Sequence, residues 1–165
     1  GRPGHWRGLD ILIYAFSEII KELKSLKLIL ILSKEPEKEF KEITDLIEKM
    51  NLKKFVEIKE PLEREELFKF LMEVDAVVIP STSEGFGLSA AEACGLSVPV
   101  ISSNAGSLPE VVSGKCLFFE EGNIIDLKEK MIRAYNDKWD FVERKDFSKE
   151  LFIQRWEEIY RRFER

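Results

Sequence analysis

Two glutamates, Glu84 and Glu92, flank a glycine turn, with seven residues between them beginning Gly85-Phe86-Gly87-Leu88. Carboxylates accept paired hydrogen bonds from neighbouring hydroxyls, as on a sugar ring or a ribose. Two acids at this spacing could therefore hold one elongated polyol at different points. Gly85 and Gly87 let the backbone come close, and the N–H groups of Phe86, Gly87 and Leu88 would meet an anionic group between the acids. A second polar group opens the chain, where Arg2 and Arg7 lie in a loop rich in turn formers. Two guanidiniums near a helix start suit a diphosphate, offering forked hydrogen bonds and charge neutralisation without a metal. The bare spacing also fits a solvated turn glutamate, a surface helix glutamate and two solvated loop arginines. His5, the one histidine, has no acid at a positioning distance in sequence and is not expected to act as a general base. There is no zinc spacing, nucleophile elbow, Walker loop, G-x-G-x-x-G or D-x-D pair, so no metal site is expected.

The elements that must position these residues alternate along the chain. Leu9, Leu12, Phe16, Ile19 and Leu23 recur at helical steps and predict a helix over about 8–24. Leu26 to Leu32 reads as a strand, and Pro36 can start the next helix, whose face is Phe40, Ile43, Ile47 and Met50. Phe55 to Ile58 is a short strand ending at Pro61. Leu67, Phe70, Leu71 and Val74 mark a helix leading into the Ala76–Ile79 strand. The Ala-rich Leu88–Cys94 segment is a helix stopped by Gly95, followed by a strand from Val98 to Ser102. Ser107-Leu108-Pro109-Glu110 fits a capping box. Lys115 to Phe119 is a strand, Ile124 to Tyr135 a helix face, Asn136 to Lys145 a charged link, and Ser148 to Phe163 a last helix. Short apolar strands alternating with helices predict an α/β fold, a doubly wound, Rossmann-like parallel sheet covered on both faces. Ligands of such sheets lie beyond the carboxyl ends of the strands, where both polar groups fall.

Composition narrows the class. The 165 residues fit one domain, 1–165, and 44% apolar content argues against disorder. A net charge of −5 argues against a nucleic-acid binder. No run is long enough for a membrane span and nothing resembles a signal peptide. Cys94 and Cys116 read as buried thiols in a reducing cytoplasm, not as a disulfide framework. A charged fraction of 35%, mostly Lys and Glu, points to a thermophilic source. The opening Gly1-Arg2-Pro3-Gly4 has no initiator Met and reads as the outlet of a strand, as in a fragment.

The segment from Ser83 to Val112, SEGFGLSAAEACGLSVPVISSNAGSLPEVV, closely resembles the signature of family-four retaining glycosyltransferases of the GT-B architecture. It has the two glutamates around a G-F-G-L turn, a small-residue helix, a G-x-P-V type strand and a G-x-P-E-V-V type turn. Gly1-Arg2 with Arg7-Gly8 looks like the family's G-R … K-G loop, and the closing helix (148–163) like the one that packs back across the interdomain cleft. The resemblance covers essentially the whole chain. It implies the C-terminal, donor-binding half of a two-domain enzyme, inactive by itself, whose N-terminal half would bind the acceptor and could touch a membrane. Carried over, Glu84 would bind donor-sugar hydroxyls and Glu92 the ribose. The turn from Gly85 to Leu88 would face sugar and diphosphate, Arg2 and Arg7 would neutralise the diphosphate, and the backbone around Ile58, Pro61 and Leu62 would line the base. The donor would be a UDP-, GDP- or ADP-sugar, transferred with retention and without metal or other cofactor. Two departures stand out: Arg7 replaces a usual Lys, and Ser33-Lys34-Glu35 replaces a usual Gly-x-Gly. Rival readings are a GT-B-related sugar-nucleotide epimerase and a non-catalytic flavodoxin-like module.

Overall fold

The computed structural model describes residues 1–163. After a 3-10 turn at His5–Arg7, the order is α1 (Leu9–Ile19), β1 (Leu28–Ile31), α2 (Glu37–Lys49), β2 (Val56–Lys59), α3 (Arg64–Leu71) and β3 (Val77–Ile79). It continues with α4 (Leu88–Gly95), β4 (Val100–Ser103), α5 (Leu108–Val111), β5 (Gly114–Phe119), α6 (Ile124–Tyr135), β6 (Asp140–Val142) and α7 (Lys149–Phe163).

The strands are parallel where the alternation predicts it. β1 pairs with β2, β3 with β4 and β4 with β5, all in parallel. Because strand side chains alternate, each central strand feeds two cores. Ile101 and Phe119 join a cluster built with Leu12, Ile13 and Phe16 of α1 and Leu127 of α6. Val100 and Cys116 join the opposite cluster, with Ala90 and Ala93 of α4 and Leu108 and Val111 of α5. Coverage on both faces leaves β4 buried along its whole length, and it makes the architecture α/β and doubly wound. Each fully buried Leu, Ile or Phe contributes about 1.5–3 kcal/mol, so α1, which buries Leu12, Ile13, Phe16 and Ile19, anchors its face.

The structure departs from expectation at four places. The sheet is in two pieces, β1-β2 and β3-β4-β5-β6, with no hydrogen-bonded ladder joining β1 to β3. The charged link contains β6, antiparallel to β5 with Gly114 opposite Val142. Its Phe141 is exposed, so no buried face announced it in the sequence. Ser107 is not a side-chain cap: its φ and ψ of −80° and −7° are already helical, and its hydroxyl donates to the Glu84 carbonyl at 3.3 Å. Gly95 does not stop α4 either; it is the last helical residue, and Ser97, at φ 63°, makes the left-handed turn. Cys94 and Cys116 are free and buried, as expected. Among the described residues no helix is long and apolar enough to cross a membrane.

Candidate functional site

Three loops converge at the carboxyl ends of the strands: 1–8 before α1, 80–87 between β3 and α4, and 104–107 between β4 and α5. Glycines set their separation. Gly8, at φ 62°, lies so close to the Pro80 carbonyl that a Cβ would sit 1.9 Å from its oxygen. Gly106, at φ 52°, lies under Glu84, where a Cβ would come within 2.3 Å of the carbonyl oxygen. Gly87, at φ 91°, is the left-handed residue that starts α4. Hydrogen bonds complete the junction. The Thr82 N–H donates to the Trp6 carbonyl at 2.8 Å, and the Ser107 N–H donates to the Glu84 carbonyl at 3.3 Å.

This scaffold brings the first-loop and second-loop charges together. The Arg7 Nη1 donates to Glu84 Oε2 at 3.1 Å, with the Glu84 side chain 17% exposed and that of Arg7 38%. Ser81, itself buried, donates its hydroxyl to the same oxygen at 3.3 Å. Ser81 is held in turn by Ser103, whose hydroxyl donates to the Ser81 carbonyl at 2.5 Å. A carboxylate so held keeps acceptor capacity for further hydroxyl donors. Arg2, Arg7, Pro61, Leu62, Ser81 and Glu92 all line one cavity of about 1100 Å³. α4 begins at Leu88 without a side-chain cap, so its first amides carry no such partner.

Each sequence-predicted residue can now be placed. Arg2, Arg7, Glu92, Pro61 and Leu62 share the cavity wall, and Glu84 is tied to it through Arg7 and Ser81. Gly85, Phe86, Gly87 and Leu88 form the bend beside Glu84. Phe86 and Leu88 are exposed, and open space surrounds the Gly85 Cα, so only Gly87 is demanded by its backbone. Ile58 differs, packing against the α1–β1–α2 core instead of the cavity. That is the alternation of a strand whose two faces serve different layers. His5 is exposed, with Glu42 3.8 Å from its Nε2. Sequence reasoning missed Ser81, Ser103 and Gly106. The serines carry no spacing signal, and the need for Gly106 arises from a residue 22 positions earlier in the chain.

The chain resembles known proteins both in sequence and in fold. The family model described as "Glycosyl transferases group 1" matches residues 1–151. An uncharacterized glycosyltransferase of Methanocaldococcus jannaschii is 32% identical over 134 residues, covering 80% of this chain and 36% of its own length. Sucrose-phosphate synthase from Thermosynechococcus elongatus superposes with a TM-score of 0.74 at 26% identity, over 84% of this chain and 35% of that one. Anabaena HepE, solved in complex with UDP, has the same fold at a TM-score of 0.73 and 23% identity, over 83% of this chain and 38% of its own. The chain thus spans about a third of the length of the relatives it matches. The family match over residues 1–151, with the shared fold, makes this chain a member of the group 1 glycosyltransferase family, with the fold of a GT-B C-terminal domain.

Proposed function

We propose that this chain is the donor-binding half of a retaining, metal-independent glycosyltransferase that takes a nucleotide-sugar and works with an acceptor-binding partner half. The observation that carries the reading is the Arg7–Glu84 pair at the sheet's carboxyl end, with Arg2 and Glu92 on the wall of the adjoining cavity. Glu92 takes the ribose hydroxyls. Glu84, oriented by Ser81, takes hydroxyls of the transferred sugar. Arg2, Arg7 and the first amides of α4 receive the diphosphate, and Pro61 and Leu62 flank the base. When the glycosidic bond to the diphosphate breaks, negative charge grows on the leaving oxygen. Fixed guanidiniums and helix N–H groups stabilise that charge most, which is the main catalytic contribution of this half. The two arginines supply the cationic charge that a divalent metal would otherwise bring.

Titration calorimetry in EDTA-containing buffer with UDP, GDP and ADP tests the reading. One of the three gives saturable heat, and Glu92→Gln weakens that nucleotide about tenfold, the value of a charge-assisted hydrogen bond at a partly exposed site. No heat from any of the three with folded protein at millimolar ligand, or an affinity indifferent to Glu92→Gln, would reject it.

A further inference from the structure

The segment that follows β6 runs alongside α4 and touches the molecule at three separated points. The Arg144 guanidinium donates to the hydroxyl of Ser97, the left-handed residue just past the end of α4. The Lys145 ammonium donates to the Pro109 carbonyl of α5 at 2.7 Å. The Phe147 ring packs edge-on to Phe86, with centres 5.3 Å apart and planes at 81°. Residues 144–147 thus reach both ends of α4 and the start of α5. The middle of the crossing is loose. A cavity of about 290 Å³ remains between Ala91, Cys94 and Gly95 of α4 and Arg144, Lys145 and Phe147. The small side chains of α4 give the crossing segment little to interlock with, so its grip lies at the end points.

One of those points is the glycine bend, which its own residues hold poorly. Open space surrounds Gly85, and α4 starts after a left-handed Gly87 with no side-chain cap. Glycine has the most backbone freedom to lose, so a bend with two of them is costly to keep in one shape. Two contacts oppose that freedom. On the buried side, Leu108 of α5 lies against Gly87, where a Cβ would come within 2.9 Å of Leu108 Cδ2. On the open side, Phe147 meets Phe86, which is 41% exposed. Lys145 holds Pro109, the neighbour of Leu108. The same short segment therefore bears on both sides of Gly87.

We propose that residues 144–147 are a strap that fixes the bend at 85–88, and that Phe147 is a positioning residue which, by holding Phe86, aims the first amides of α4. Its consequence for a ligand rests on the donor reading above. There those amides meet the diphosphate and not the nucleoside, so Phe147 acts on the diphosphate part of the affinity alone. A bend ordered before binding spares the ligand the cost of ordering it.

Nitrogen-15 relaxation of the ligand-free chain, and calorimetry with UDP, GDP and ADP each beside its nucleoside, test it on three variants. These are Phe147→Ala, Phe147→Tyr and Phe141→Ala, the last removing an exposed aromatic of β6. Phe147→Ala lowers the order parameters of Phe86 and Gly87 from about 0.85 to about 0.6, with Val100 and Leu117 in the core unchanged. It weakens the diphosphate that binds about fivefold, the scale of one edge-to-face aromatic pair, and leaves the nucleoside unchanged. Phe147→Tyr and Phe141→Ala behave as the parent chain. An unchanged bend in Phe147→Ala overturns the proposal, and so does loss of order throughout that variant, which would make Phe147 a folding residue. Equal losses for diphosphate and nucleoside overturn it as well. If the parent chain binds none of the three diphosphates, the donor reading falls, and the order parameters still decide whether the strap fixes the bend.

Discussion

At the scale of single residues, the Arg7–Glu84 contact joins two roles that a bound donor would separate. Arg7 holds the carboxylate, and in the proposed reading its fork also meets the diphosphate. Arg7→Ala should therefore lower the affinity for a nucleoside diphosphate about tenfold and leave that for the parent nucleoside unchanged. Paired calorimetric titrations with the two ligands read the difference, and equal losses would assign Arg7 a purely structural part. Of this constellation, the Glu84–Glu92 spacing, the bend between them and the two arginines were legible in the chain. Ser81 and Ser103 were not. Their value lies in donating to Glu84 and to the Ser81 carbonyl, a matter of how β3 and β4 lie side by side.

At the scale of elements, loop closeness matters more than loop composition. Gly8 starts α1 in a left-handed conformation directly against the end of β3. An alanine there adds both a strained φ and a collision with the backbone of Pro80, which has no flexible end to give way. Gly8→Ala should cost about 3 kcal/mol in urea unfolding, whereas Gly85→Ala, with open space around it, should cost well under 1 kcal/mol. A different element carries a pH signature. Hydrogen bonds from Lys27, just before β1, and then from Lys59 hold the Glu57 carboxyl of β2 down at about 2. A lowered pKa means that this support is present above the ordinary carboxylate value and is lost as pH falls through about 2. Carbon-13 NMR should find Glu57 still ionised at pH 3. A Glu57 titration near the ordinary value would show that the two lysines are not engaged in solution.

At the scale of the whole molecule, α7 is the element least integrated with the rest. It buries none of its described residues, and Phe152, Trp156 and Tyr160 line up along it in the open, Phe152 edge-on to Trp156 and 62% exposed. Just before its start, Phe147 packs edge-on to Phe86 of the bend, with ring centres 5.3 Å apart. Such a face favours association and adds little to the stability of this domain. Phe152→Ser with Trp156→Ser should move the thermal midpoint by less than about 2 °C. The same double variant should reduce self-association in sedimentation. A large loss of stability would show that α7 docks on this domain.

The alternation of apolar runs and helical faces determined the α/β architecture, because coverage of a sheet on both faces leaves a direct imprint on each strand. The Glu84–Glu92 turn and the family it belongs to were equally local, carried by about thirty contiguous residues from Ser83 to Val112. Only the tertiary structure decided the rest. Gly106 is needed because it passes under Glu84, Ile58 turns to the core because its strand alternates, and Ser107 turns its hydroxyl to another loop. The division of the sheet between β1 and β3 could be seen only once the pairing of both strands was in place. Local pattern records which way a side chain must face water or core; it holds no record of which distant backbone will lie against it.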